Sequence, residues 1–138
     1  MTATDPIEQI RSDYLARYGT PVAERIEAGR VRDFLLAMDE PANLDTGVPV
    51  PPLFLLTLGR TRRPQPSRGS AVNAGDEFEF LGPVRVGDII TTCRRVVSVE
   101  AKRGSRGQMY LTTAEATYVN QRGEKVAVAR QSTLRWGW

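Results

Sequence analysis

The chain has 138 residues, 41% of them hydrophobic and 25% charged, with a formal net charge of +3 and a pI near 9.4. That length suits one domain, residues 1–138, with a core that needs no metal or disulfide, and the composition is that of a globular protein, not a disordered or membrane-spanning one. No apolar run reaches the roughly 18 residues that cross a bilayer, and the polar start MTATDPIEQIRSDY is unlike a secretory signal, so a cytoplasmic protein with no membrane partner is expected.

A single cysteine, Cys93, and the absence of histidine exclude an intramolecular disulfide and the common zinc ligand sets. No metal site and no cofactor are expected, and Cys93, inside the strand-like run IITTCRRVV, reads as a small core residue. The densest basic cluster, RTRRPQPSR from Arg60 to Arg68, contains no aromatic on which a base would stack. Nucleic acid is therefore not an expected partner; the cluster reads as a solvated loop or as a contact for an anionic ligand such as a nucleotide phosphate.

Asp5 before Pro6, with Glu8 in the first turn, is a helix start. Ile7, Ile10, Tyr14 and Leu15 keep helical spacing and Gly19 is a stop, which predicts a helix over 5–18. Thr20–Ala28 reads as a short strand that Pro21 confines to an edge or an irregular start. From Gly29 to Met38, apolar Val31, Phe34, Leu35 and Met38 recur at i, i+3, i+4 and i+7, the pattern of an amphipathic helix. After a loop, Pro49, Pro51 and Pro52 lead into LFLLTLGR, where Phe54, Leu55 and Leu58 face one way and Leu53, Leu56 and Thr57 widen the apolar surface. An element so apolar must be buried, and it reads as a central helix ending near Gly59.

Thr61–Asn73, with Pro64, Pro66 and Gly69, has the composition of an exposed loop. Beyond it the pattern turns to strand: EFEFLGPVRVGD from Glu77, then IITTCRRVVSVEA, a Gly-Ser-Arg-Gly turn, QMYLTTAEATYVN, a turn at Gln121–Glu124, and KVAVARQSTLRW. β-Branched residues with turn residues at the joints predict two long hairpins in an antiparallel sheet. In Pro83–Asp88, PVRVGD, Gly87 permits a tight turn and Asp88 can bond its backbone, a structural role.

Two features go beyond topology. Ala37–Asp45 reads AMDEPANLD, and Val50–Phe54, EFEFLGPVRVGDIIT and YVNQRGEKVAVARQ follow in order along the chain. The first resembles the catalytic loop of MaoC-like R-specific enoyl-CoA hydratases, Gly-Asp-x-Asn-Pro-(Ile/Leu)-His; the rest is similar to the N-terminal domain of MaoC-like dehydratases. The resemblance implies an α+β hotdog fold, an antiparallel sheet wrapped around a central helix, and a hydratase built from two paired hotdog halves acting on a coenzyme A thioester. Set Asp39 on the motif's Asp, and Leu44 falls where the catalytic His belongs, so the resemblance implies the non-catalytic half. That half would shape the acyl-CoA pocket for a catalytic MaoC-like hotdog subunit, in a heterodimer or heterotetramer, within lipid or steroid side-chain β-oxidation. Phe54, Leu55 and Leu58 would bind the acyl group, and Arg62 and Arg63 the phosphates. Asp39 is also a candidate for a thioesterase carboxylate, with Asn43 and Asp45 as turn and cap groups; a non-enzymatic acyl-CoA-binding subunit is the third reading.

Overall fold

The computed structural model describes residues 5–41, 49–60 and 69–137. Helix α1, Pro6–Tyr18, starts where Asp5 accepts a hydrogen bond from the backbone N–H of Ile7 at 3.0 Å, and ends at Gly19. Strand β1, Val22–Arg25, leads into helix α2, Ala28–Ala37, and a six-residue 3₁₀ helix, Pro52–Thr57, follows. Four long strands complete the chain: β2 Ser70–Phe80, β3 Ile89–Gly104, β4 Gly107–Val119 and β5 Lys125–Trp136.

The five strands form one antiparallel sheet in the order β1-β3-β4-β5-β2. The two predicted hairpins are β3–β4, closed at Gly104–Gly107, and β4–β5. At the second turn the buried Asn120 side chain accepts from the backbone N–H groups of Arg122 and Glu124, both at 3.0 Å, which closes the turn from inside. β1 is an edge strand, as Pro21 requires. Asp88 has the structural role expected of it. Its carboxylate accepts from Arg85 N–H and from the Gln121 side chain, both at 2.9 Å, tying the loop before β3 to the β4–β5 turn.

The core lies at one end of the sheet's inner face, where Val31, Phe54, Leu55, Leu58, Ile90 and Tyr118 meet. The sheet wraps the 3₁₀ helix, as expected of a central helix, but that helix is short and only one side of it is buried. Phe54, Leu55 and Leu58 are inside while Leu53 is 43% exposed. Its end is held by β1 and β3 and by one bond within the helix itself. Glu24 of β1 accepts the Gly59 N–H at 2.7 Å, Arg94 of β3 donates to the Leu58 carbonyl at 3.2 Å, and the Thr57 hydroxyl bonds back to the Phe54 carbonyl at 2.8 Å. Gly59 has φ +68°, and a Cβ there would lie 2.6 Å from the Thr92 side chain, so glycine is required for this close approach.

Several expectations are corrected. Cys93 is exposed: Ile90, Thr92 and Arg94 alternate inward, which turns Cys93 and Arg95 outward. β2 begins at Ser70, inside the stretch read as loop, because pairing with Trp136 and Arg135 of β5 supplies backbone partners that local composition does not announce. The strand expected from Glu77 stops at Phe80, well before Asp88. Leu15 is 70% exposed because α1 lays only part of its apolar stripe against β3, and Met38, just past the end of α2, is 51% exposed. Among the described residues no helix is long and apolar enough to cross a membrane.

On the outer face, Glu115 of β4 accepts from Arg130 of β5 at 2.9 Å and Arg95 of β3 at 3.1 Å, with its side chain 11% exposed. Hydrogen bonding to Arg130, then to Arg95, holds its carboxyl below the ordinary 4.5 against the opposing effect of burial. A depressed folded-state pKa gives stability that is present above the unfolded value and lost as pH falls through the folded one. Glu115→Gln is therefore expected to cost about 1 kcal/mol near neutrality. The gap to the parent chain should close below about pH 4.5, as urea unfolding at several pH values would show.

Candidate functional site

Beyond the core, the inner face of the sheet is open, because the short 3₁₀ helix stops and α1 arches over what it leaves bare. The centre of its floor is Ala114 and Ala116 of β4 beside Gln131 and Ala129 of β5, so three of these four side chains are only methyl groups. Two adjoining hollows result, of about 280 and about 230 Å³, which share Tyr14, Ala114 and Gln131 and so form one groove. Each alone falls somewhat below the roughly 300–1,000 Å³ typical of ligand pockets, and the two together fall within it.

The larger hollow lies beneath α1. Asp13, Tyr14, Arg17 and Tyr18 reach it from the helix, Asn73 from β2, and Thr112, Thr133 and Arg135 from the floor. The smaller one opens beside the end of the 3₁₀ helix, with Leu56, Arg60, Asp76, Phe78, Arg94 and Tyr118 around it. Arg94 joins the parts: its guanidinium lies 5.5 Å from the centre of the Tyr18 ring. Burial raises the pKa of Tyr14 and Tyr118, and the Arg94 charge partly offsets this in both. Burial also lowers that of Arg135, with Asp13 opposing the shift.

The groove holds polar anchors on an open sheet face, but little acid–base capacity. Of its two carboxylates among the described residues, Asp13 accepts from Gln9 at 2.7 Å and Asp76 from Asn73 at 2.6 Å. Among the described residues no group of three or more His, Cys, Asp or Glu is placed to hold a metal.

Of the residues singled out in the sequence, Phe54, Leu55 and Leu58 pack in the core and do not line the groove; Leu56 is the side chain of that helix that does. The physical reason is area: the largest apolar side chains go where all of their surface can leave water. Asp39 stands on an exposed turn after α2 with φ +56°, donating its N–H to the Leu36 carbonyl at 3.1 Å, and lines neither hollow. Asn43, Leu44, Asp45, Arg62 and Arg63 lie outside the described residues. Tyr14, Arg17, Arg94, Gln131 and Arg135 were not foreseen. Arg94 had a signal: strand alternation from Ile90 through Thr92 carries it inward, and a charge on an inward position asks for a reason.

Similarity to known proteins agrees with the architecture. Residues 16–129 match the family model described as FAS1-like, dehydratase domain region. No curated protein sequence matches the chain. Among solved structures, the chain is similar to the ChsH1-ChsH2 complex from Mycobacterium tuberculosis, with TM-score 0.73 and 12% identity over 94% of this chain and 88% of that one. It is also similar to the HadBC (3R-hydroxyacyl-ACP dehydratase) complex from the same organism, with TM-score 0.64 and 18% identity over 83% and 91%. A third likeness is to the MaoC-like dehydratase from Rhodospirillum rubrum, with TM-score 0.65 and 20% identity over 88% and 91%. With most of its length matched, this chain belongs to the FAS1-like dehydratase region family, and its fold is the hotdog fold of the MaoC-like dehydratases.

Proposed function

We propose that this chain is the non-catalytic subunit of a heteromeric enoyl-CoA hydratase, lending an acyl-binding groove to a catalytic hotdog partner. The observation that carries this is the open inner-face groove in a chain that contains no histidine. Hydration of a 2-enoyl thioester needs a base to activate water and an acid to deliver the α-proton, and both carboxylates of the groove are engaged by amide side chains. The thioester is the substrate and no further cofactor takes part; the setting is acyl or steroid side-chain degradation in the cytoplasm.

The sheet supports a partner. β2 is an edge strand, all eleven of its residues are exposed, and Phe78 and Phe80 stack at 6.4 Å while 37% and 44% exposed. An exposed edge strand of this length, with two stacked aromatics on it, offers unpaired backbone groups and apolar surface to another chain. Two of the similar structures are complexes, ChsH1-ChsH2 and HadBC.

The purified chain alone is expected not to hydrate crotonyl-CoA or longer 2-enoyl-CoA thioesters. Co-expression with a hotdog protein that keeps an intact Asp-x-Asn-Pro-x-His loop should yield a stable complex with hydratase activity. That activity should vanish when the partner's loop His is replaced and survive Asp39→Asn here. A stable homodimer that refuses the partner and leaves the mixture inactive would sink the proposal; turnover by the chain alone, lost in Asp39→Asn, would favour a thioesterase.

The basic loop supplies a further expectation. Arg60 lines the smaller hollow, and Arg62 and Arg63 follow it in sequence outside the described residues. Charge-reversing Arg62 and Arg63 together should raise the apparent KM of the complex for the acyl-CoA by about tenfold, the effect of about 1.4 kcal/mol of lost attraction. An unchanged KM would return the loop to solvent.

A further inference from the structure

The larger hollow carries more charge than an acyl pocket needs. Arg17 of α1 and Arg135 of β5 both line it, with Asp13 the one carboxylate in its wall among the described residues, leaving a net charge of +1 among those three groups. Nε and Nη1 of Arg17 are buried without a hydrogen-bond partner, and so is the hydroxyl of Thr112, a floor residue that is 6% exposed. Buried donors are normally satisfied, and each one left bare costs about 1–3 kcal/mol. The Tyr18 ring, 5.2 Å from the Arg17 guanidinium, accounts for part of the charge but accepts none of those N–H groups in their plane. Ile10, Ala71 and Val72 supply an apolar side to the same space.

We propose that this hollow is a carboxylate-binding pocket, and that the acyl group held in the groove carries a carboxylate at its far end. Two guanidinium groups offer the planar fork that a carboxylate matches with paired, charge-assisted hydrogen bonds. One negative charge balances the net +1, whereas a phosphate dianion overshoots it. An anion close to Arg17 and Arg135 would also favour the charged guanidinium of Arg135, offsetting the burial and the Arg17 repulsion that depress its pKa. The pocket stands on its own geometry; its assignment to an acyl chain rests on the acyl-binding reading above.

The test uses the purified full chain and calorimetric titration with free octanedioate against octanediol, and with octanedioyl-CoA against octanoyl-CoA. A preference of about tenfold or more for the carboxylate-ended member of each pair is expected. Arg17→Gln and Arg135→Gln should each abolish that preference within both pairs, and Arg17→Lys should restore part of it. Octanedioate preferred over octanediol, with no acyl-CoA bound by the chain or its complex, would support the pocket and defeat the acyl-CoA reading. Equal binding within the free pair, no binding of either free probe, tighter binding of inorganic phosphate than of octanedioate, or a preference that survives Arg135→Gln would overturn the pocket while leaving the acyl-CoA reading intact.

Discussion

Phe54→Ala should lower the stability of the chain by about 3–5 kcal/mol, the range for removing a buried aromatic and leaving its cavity. Phe54 is 1% exposed at the centre of the core, its ring meeting that of Phe34 edge-to-face at 5.6 Å and 86°, with the Arg30 guanidinium 5.9 Å away. It comes from a 3₁₀ helix of six residues, which has too few hydrogen bonds to persist without its packing. The loss therefore includes the fastening of Gly59 and Leu58 that depends on this helix. Against a total of about 5–15 kcal/mol, the melting temperature should fall on the order of 15 °C. Phe34→Ala should cost less, because Phe34 is only half-buried, and a double-mutant cycle should show about 0.5–1.5 kcal/mol of coupling for the ring pair. A loss below about 1 kcal/mol for Phe54→Ala would mean that the helix is not the core of this sheet.

Ala114→Phe should leave the fold standing and close the groove. Ala114 lies on the sheet floor where the two hollows join, and is not part of the packed cluster. Elsewhere on a packed inner face an added ring costs about 1–3 kcal/mol in strain; here it enters space, and stability should hold or rise slightly. Acyl-CoA binding by the complex should weaken about a hundredfold or more, a loss of about 2.7 kcal/mol, because the ring occupies volume the acyl group needs. Binding unchanged in a folded variant would put the acyl group elsewhere. Ala129→Leu, beside the smaller hollow, should weaken binding less.

The groove explains why its residues were harder to read than the strands. Tyr14 and Arg17 lie one turn apart on α1, Arg94 is near the middle of β3, and Gln131 and Arg135 are on β5; no local spacing links them. Only the antiparallel registers, Arg94 opposite Ala116 and Ala114 opposite Gln131, bring them onto one face. The basic loop and the Asp39 turn were conspicuous because their residues are adjacent in sequence, and adjacency says nothing about which sheet face a chain will line.

The features legible in the sequence are those decided over a few residues. The α1 start at Asp5, the Gly104–Gly107 and Gln121–Glu124 turns, the edge placement of β1 behind Pro21 and the bonding of Asp88 all follow from capping, φ preferences and period-two alternation. The missing histidine is likewise a fact of composition alone. Tertiary structure decided the rest. β2 extends back to Ser70 because β5 offers it a ladder, the apolar run after Pro52 becomes a short 3₁₀ helix because β1 and β3 hold its end, and Cys93 faces solvent because the pairing of β3 with β4 fixes which alternate residues point inward. Each depends on partners distant in the chain, whose free energy of pairing exceeds the tenths of a kcal/mol that local propensity contributes per residue.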